Sequence, residues 1–164
     1  MQRVSVVVNA SPLIYLSVLD HLALLWRVFD EVYIPEAVYT EVVELGQGLP
    51  GSQETMRAIS NGFIHVKPVH DHLAVDALLS QLDWGESEVI VLARELELQH
   101  VVLDDRMARL RAVQMGLNVT GTLGILLLSH KMGVEINIQQ AIHVLREQNF
   151  RISERLYRKI IRDL

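Results

Sequence analysis

Apolar and polar positions fall into blocks whose period changes several times along the chain, and each change marks a new element. Val4 to Val8 is a mostly β-branched run too short for a helix, which predicts a strand buried on both faces and ending at Asn9. Ser11 before Pro12 reads as an N-cap hydroxyl followed by a proline in the first helical position, opening a helix through Leu13, Ile14, Leu16 and Leu19. A second helical piece from about Asp20, with Leu22, Leu25 and Trp26, leads to a short strand, Val32-Tyr33-Ile34, that Pro35 ends. From Pro35 to Leu45 the residues Ala37, Val38, Val42 and Leu45 keep helical spacing, which puts Glu41 on the flank of their stripe. Gly46, Gly48, Pro50 and Gly51 break that helix into a loop without the lysine and hydroxyl of a phosphate-binding loop.

The second half repeats the alternation. A helix over Ser52 to Asn61, a strand over Phe63 to Val66 and a helix over Ala74 to Leu82 precede the stretch from Asp83 to Gly124, which reads helix, strand, helix, strand. Val89, Ile90, Leu92, Ala93 and Leu96 recur at helical spacing, and Val101-Val102-Leu103 forms a short strand that stops at Asp104-Asp105. Arg106 opens the next helix, with Met107, Leu110 and Val113 on one stripe and Gly116 as its stop, and Asn118-Val119-Thr120 is the last strand. Beyond Thr122 the pattern is helical through Ile125, Leu126 and Leu128, then Ile138 to Gln148 and Ser153 to Asp163. Alternating strands and helices predict a three-layer α/β fold with a mainly parallel sheet of about five strands. The expected organisation is one domain over 1–164, an α/β core over 1–122 and a helical extension over 123–164.

Composition changes this picture in three respects. Half of the 164 residues are hydrophobic, enough for a full core without staples. The absence of cysteine excludes disulfides and thiolate metal sites and fits a reducing cytoplasm, and no run of ~18 apolar residues predicts a membrane span. A net charge of −5 argues against coating duplex DNA through bulk charge while leaving room for a local basic patch.

Acidic residues collect near predicted element ends: Glu41, Glu86, Asp104 and Asp105, with Asn9 at the tip of the first strand. In parallel sheets polar chemistry gathers beyond the carboxyl ends of the strands, and oxygen donors of this kind suit Mg²⁺ or Mn²⁺. Capping accounts for some of them, since Asp83 with Glu86 three later matches a capping box and Asp105 can cap the helix after it. A helix start needs one cap and two adjacent aspartates stand there, which leaves one for other work. His70-Asp71-His72 reads as a polar turn rather than a chelate, because side chains at i and i+2 need a third ligand. Gly121-Thr122 is favoured as a tight turn into an apolar helix over an anion site. Arg106, Arg109 and Arg111 follow directly on the aspartates, and Arg146, Arg151, Arg155, Arg158, Lys159 and Arg162 add a second basic stretch able to meet phosphates.

The order Asn9-Ala10-Ser11-Pro12, Glu41, Trp84-Gly85-Glu86-Ser87-Glu88 and Leu103-Asp104-Asp105-Arg106 resembles the PIN-domain family over nearly the whole chain. The stretches VNASPLIYL, WGESEVIVLA, VLDDRMAR and VTGTLGILL look like a branch of predicted PIN proteins treated as relatives of the VapC toxins of toxin and antitoxin pairs. The resemblance implies that the first and fourth strands are neighbours and that Asn9, Glu41, Glu86 and Asp105 converge, with Asp104 a neighbour able to substitute. It further implies that Glu41, Glu86 and Asp105 bind Mg²⁺ or Mn²⁺ to cut single-stranded RNA and that Ser11 helps order the site, while Arg106 and Arg109, from their place after the aspartates, are the residues expected to hold the RNA strand. Asn9 departs from the pattern, since active members generally carry aspartate there and an asparagine offers one neutral oxygen in place of a charged pair. Two readings follow: a metal-dependent ribonuclease, or a catalytically weakened module that binds RNA or a protein partner. A receiver-type phosphotransfer domain fits less well, because its acidic pair should follow the first strand and not the fourth. Apolar stripes at Ile138, Ile142 and Leu145 and at Ile152, Leu156, Ile160 and Ile161 suggest a homodimer through these helices or through the face around Trp26, and an antitoxin protein would dock on the same surface.

Overall fold

Five short strands, β1 (Val6–Val8), β2 (Val32–Pro35), β3 (His65–Lys67), β4 (His100–Val102) and β5 (Asn118–Thr120), form one parallel sheet in the order β3-β2-β1-β4-β5. The computed structural model describes residues 3–164. β1 lies at the centre, with Val7 opposite both Tyr33 and Val101, so its three valines are fully covered and the run needs no polar alternation.

The helices flank the sheet. Their ranges are α1 Ala10–Val18, α2 Leu24–Val28, α3 Glu36–Tyr39, α4 Ser52–Ser60, α5 His72–Leu78, α6 Trp84–Glu95, α7 Arg106–Gln114, α8 Thr122–Lys131, α9 Ile138–Glu147 and α10 Glu154–Asp163. α6 packs across β1, β2 and β4 with α3, α5 and α7 beside it, and every residue from Gly85 to Ala93 is buried. A helix covered on all sides keeps few polar groups unless they are bonded. Buried Glu88 meets that condition by accepting from the Ala37 N–H (2.9 Å) and the Trp84 Nε1–H (3.1 Å), which ties α6 to the start of α3. α8 packs on α1, α2 and α9, and its Ile125 and Leu126 are fully buried, so the helical part of the chain enters the same hydrophobic cluster as the sheet. Among the described residues no helix is long and apolar enough to cross a membrane.

The all-parallel sheet, the adjacency of the first and fourth strands and the polar turn at His70-Asp71-His72 agree with expectation, and three local details differ from it. α1 begins at Ala10, so Asn9 holds the N-cap position without a side-chain cap bond, and Ser11 lies inside the first turn. Pro12 is tolerated as the third helical residue because that N–H has no partner within the helix anyway. α3 continues as a π-helical turn over Thr40–Glu44, whose extra residue per turn shifts the phase of the stripe: Val43 turns inward and Leu45 is 78% exposed. α5 begins two residues before Ala74, because Asp71 caps it by accepting from the Ala74 N–H (3.0 Å). Glu95 accepts from the His70 and Asp71 N–H groups (3.0 Å each), so the histidine pair is a pinned turn.

α7 presents the face opposite to the one its large residues suggest. Met107, Leu110 and Val113 are 46%, 50% and 59% exposed, while Ala108 and Ala112 are fully buried. α7 approaches α6 and β5 closely, and only small side chains fit that gap. The stripe of α9 likewise has an internal use, since Ile138, Ile142 and Leu145 are buried in the chain's own core and present no surface to a second copy.

The reversed face of α7 has a measurable consequence. In urea unfolding, Leu110→Ala is expected to change stability by no more than about 0.5 kcal/mol, and Ala108→Leu to lower it by about 1–3 kcal/mol through overpacking. The opposite ranking would mean that the large residues face the core.

Candidate acidic site at the switch point of the sheet

From β1 the chain moves outward through β2 and β3, then returns across β1 to build β4 and β5 on the other side. A parallel sheet with that order opens a crevice at the carboxyl ends of β1 and β4, where the connections diverge. Val8 pairs with Val102 and the Asn9 N–H donates to the Val102 carbonyl (3.1 Å), so Asn9 and Leu103-Asp104-Asp105 leave the sheet side by side.

α6 starts at this same edge. A Cβ on Gly85 would stand 3.3 Å from Asn9 Oδ1 and 3.7 Å from Asp83 Oδ1, so the absence of a side chain lets the Asn9 amide lie against the first turn of α6. The first turn is a capping box in which Asp83 Oδ1 accepts from the Glu86 N–H (2.8 Å) and Glu86 Oε1 accepts from the Asp83 N–H (3.1 Å). Asp105 Oδ2 caps α7 by accepting from the Ala108 N–H (3.0 Å).

Asp104 is not left free by its neighbour. Its oxygens accept from the Thr122 N–H (2.8 Å) and the Thr122 hydroxyl (2.7 Å), which fills the start of α8 with the chain's own carboxylate. Half-buried Arg109 turns inward and donates from Nη1 to the Leu103 carbonyl (3.0 Å). A Cβ on Gly121 would come within 2.7 Å of that Nη1 and 2.9 Å of Asp104 Oδ1, so glycine is what lets β5 turn into α8 beneath the pair.

The electrostatics identify which acids form one group. Glu86 is 8% exposed, and burial pushes its carboxyl up to about 7; the Asp83 N–H bond opposes the shift, and the charges of Asp83 and Asp105 add to it. Burial and then the charge of Asp83 raise Glu41, which joins it to the same group. Burial also raises Asp104, against the Thr122 bonds and the Arg109 charge, and Asp104 in turn adds to the burial that raises Tyr15. Glu41, Asp83, Glu86 and Asp105 thus share one field, with the Asn9 amide at its edge. Among the described residues no three acids, histidines or cysteines stand together in a metal-holding arrangement, and Asp83, Glu86 and Asp105 each turn one oxygen back to a backbone N–H.

A cleft of about 550 Å³ opens beside the group, with Ser11 and Tyr15 of α1 on one wall and Asp104, Asp105 and Arg106 along the floor. Residues following α9 close the other side. Sequence reading treated Asp83 only as a cap and gave Tyr15 and Phe150 no part in the site. The capping-box spacing was the one signal for Asp83, whereas nothing in the local pattern marks two aromatic residues 135 positions apart in the chain as neighbours 5.2 Å apart.

Glu86 couples this group to pH. Its carboxyl titrates near 7 in the folded chain against 4.5 ordinarily, so the folded form binds more protons in that window and stability falls as pH rises through it. With chelator present, the melting temperature is expected to decline between about pH 5 and about pH 8. Glu86→Gln keeps an oxygen for the Asp83 N–H and is expected to remove most of the decline. Calorimetry showing an equally steep decline in the variant would assign the dependence to another group.

No curated protein matches the chain. A family model described as a PIN domain matches residues 5–164, which spans the five strands, both capped helix starts and the helices after β5. The asparagine at the tip of β1, the acids around the first turn of α6 and the aspartates after β4 therefore stand in the setting of that family, and the chain belongs to the PIN-domain family.

Proposed function

We propose that the protein is a divalent-metal-dependent endoribonuclease of PIN type, acting as the toxin of a toxin and antitoxin pair. The observation that carries the reading is the group Glu41, Asp83, Glu86 and Asp105, in which burial and then like charges raise the Glu41 and Glu86 carboxyls from their ordinary value. Carboxylates shifted in that direction are buried without full compensation of their charge, and such shifts cluster at functional sites. PIN domains generally use divalent metal ions and commonly bind RNA.

The donor set fits a hard cation by its chemistry. Glu41, Glu86 and Asp105 would hold Mg²⁺ or Mn²⁺ with the Asn9 oxygen completing the shell. When bound, the ion supplies activation of a water and neutralisation of the charge that builds on a phosphodiester. The caps favour this arrangement by fixing the acids at two helix starts, with one oxygen of each committed to a backbone N–H. Arg106, exposed at the floor of the cleft, meets a substrate phosphate, and the Ser11 hydroxyl on the wall orients it. Arg109 supports the site from beneath through the Leu103 carbonyl. The motif likeness to VapC relatives supports the toxin role, and an antitoxin protein and a second copy of the chain are the partners this role expects.

A second reading, a weakened module that binds RNA or a protein without cutting, is favoured by Asn9, whose neutral amide lies where a charged pair would attract the cation more strongly. Purified protein incubated with unstructured RNA and Mn²⁺ separates the two. Cleavage is expected, together with its loss in chelator and a loss of more than about tenfold in Asp105→Asn, which retains an oxygen for the cap. RNA bound but left intact, by the parent and by Asn9→Asp alike, would establish the module instead.

Asn9→Asp offers an independent test through stability. A fourth carboxylate adds repulsion without metal and attraction with it, so the variant is expected to melt lower than the parent in chelator and to gain more on addition of Mn²⁺. Identical melting of both proteins with and without Mn²⁺ would leave the acids as helix caps and nothing more.

A further inference from the structure

The last helix divides its surface by charge. Along α10 the residues Arg155, Arg158, Lys159 and Arg162 recur three and four apart, so they share one face, and all four are exposed. The opposite face is apolar and turned to the chain's own core, where Ile160 is buried and Tyr157 packs against the same hydrophobic cluster. Ser153 caps the helix by accepting from the Leu156 N–H (3.1 Å), and Arg146 of α9 fastens its start, pairing with Glu154 (3.1 Å) and lying over the Tyr157 ring (4.6 Å to the centroid).

That fastening withholds a neutralising charge from the basic face. Glu154 stands four residues before Arg158, at the spacing of a helical ion pair, but its carboxylate is engaged by Arg146. Asp163 reaches Arg162 only at 3.7 Å, and among the described residues Arg155, Arg158 and Lys159 form no ion pair. Like charges three and four apart oppose helix formation, so the stripe costs the helix stability as it stands. On a chain of net charge −5, residues 151–164 carry five Lys and Arg against two Asp and Glu. Two neighbours extend the patch. Lys131 at the end of α8 lines a pocket of about 360 Å³ together with Lys159. Arg151 lines both the cleft at the acidic site, with Arg106, and a groove of about 600 Å³ closed by Leu156 and Ile160, so it links the basic residues at the cleft to those of α10.

We propose that the outer face of α10 is a second RNA-binding site, separate from the acidic site, that grips the phosphodiester backbone of the strand flanking the point of attack. The identity of its ligand rests on the nuclease reading. Arginine forks match phosphate oxygens, and four cations over seven residues of helix span about 10 Å, enough to meet more than one phosphate. Such contacts carry no base information, so the site accepts any sequence, single-stranded or paired, and acts on affinity alone. A membrane surface is the poorer match, because a basic helix binds lipid by sinking its apolar face, and that of α10 is already packed inside.

Fluorescence anisotropy in chelator, with labelled oligoribonucleotides of about four and about 16 nucleotides, tests the site without cutting. Arg155→Gln combined with Lys159→Gln is expected to weaken binding of the longer strand about tenfold, to lower its slope of log K against log salt by about 1.4, and to leave the shorter strand unchanged. The variant is expected to melt no lower than the parent, since it relieves like-charge repulsion. Arg57→Gln combined with Lys67→Gln removes the same charge from exposed positions on α4 and on β3, the opposite edge strand from β5, and is expected to leave binding of the longer strand as in the parent. No binding of the longer strand by the parent, equal weakening of both lengths, equal weakening by the two double variants, or competition by poly-glutamate as effective as by RNA of equal charge would overturn the site. Cleavage with Mn²⁺ keeps the two readings distinct. Binding with these dependences but without cleavage removes the nuclease and leaves the site on α10, whereas cleavage and binding of the longer strand that are both indifferent to the α10 variant do the reverse.

Discussion

Three carboxylates meet three helix starts at one edge of the sheet, and the site depends on those contacts. Asp83 holds the start of α6, Asp105 that of α7 and Asp104 that of α8. Helix starts carry unpaired N–H groups and a partial positive charge, which is why acids can gather here at tolerable cost. The compensation is incomplete. Glu86 and Glu41 are raised chiefly by burial, and the charge of Asp83, with that of Asp105 on Glu86, adds to the shift. Capping and ligation are thus compatible roles for the same side chains, because a carboxylate has two oxygens and a cap engages one.

The edge is assembled by backbone as much as by charge. Gly85 lets the Asn9 amide rest against the first turn of α6, and Gly121 leaves room for Arg109 and Asp104 under the turn into α8. The π-helical turn that carries Glu41 belongs to the same set, since its extra residue per turn breaks the helical stripe beside that acid. Each feature relaxes regular packing locally, and buried α6 with the central valines of β1 supplies the rigidity that holds the result.

The helices after β5 have two uses. Apolar side chains of α8 and α9 complete the core, so the chain closes its own hydrophobic surface there. The turn after α9 then brings Phe150 against Tyr15, and the last part of the chain becomes a wall of the cleft that begins with the first helix.

Much of the fold was legible in the residues themselves. The β-branched runs, the breaks at proline and glycine and the alternation of periods specify parallel strands, because burial on both faces leaves a distinctive pattern, while the adjacency of the first and fourth strands was implied only by the resemblance to PIN domains. The motifs around Asn9, Glu86 and Asp105 marked the edge of the sheet, since caps and strand ends obey local rules of spacing. That Asp105 can cap α7 was readable from spacing, but that Asp104 serves α8 was not, because Thr122 is 18 residues from Asp104 and meets it only through β4 and β5 pairing. The inward face of α7 was misjudged for a related reason: close approach to α6 and β5, and not hydrophobicity, decides that two alanines go inside. Sequence therefore determined the elements and the supply of acids by the edge. Tertiary structure alone decided how far each carboxylate is buried, what it faces and which distant aromatic residues stand beside it, because burial and electrostatic field are properties of the assembled surroundings and not of any one stretch of chain.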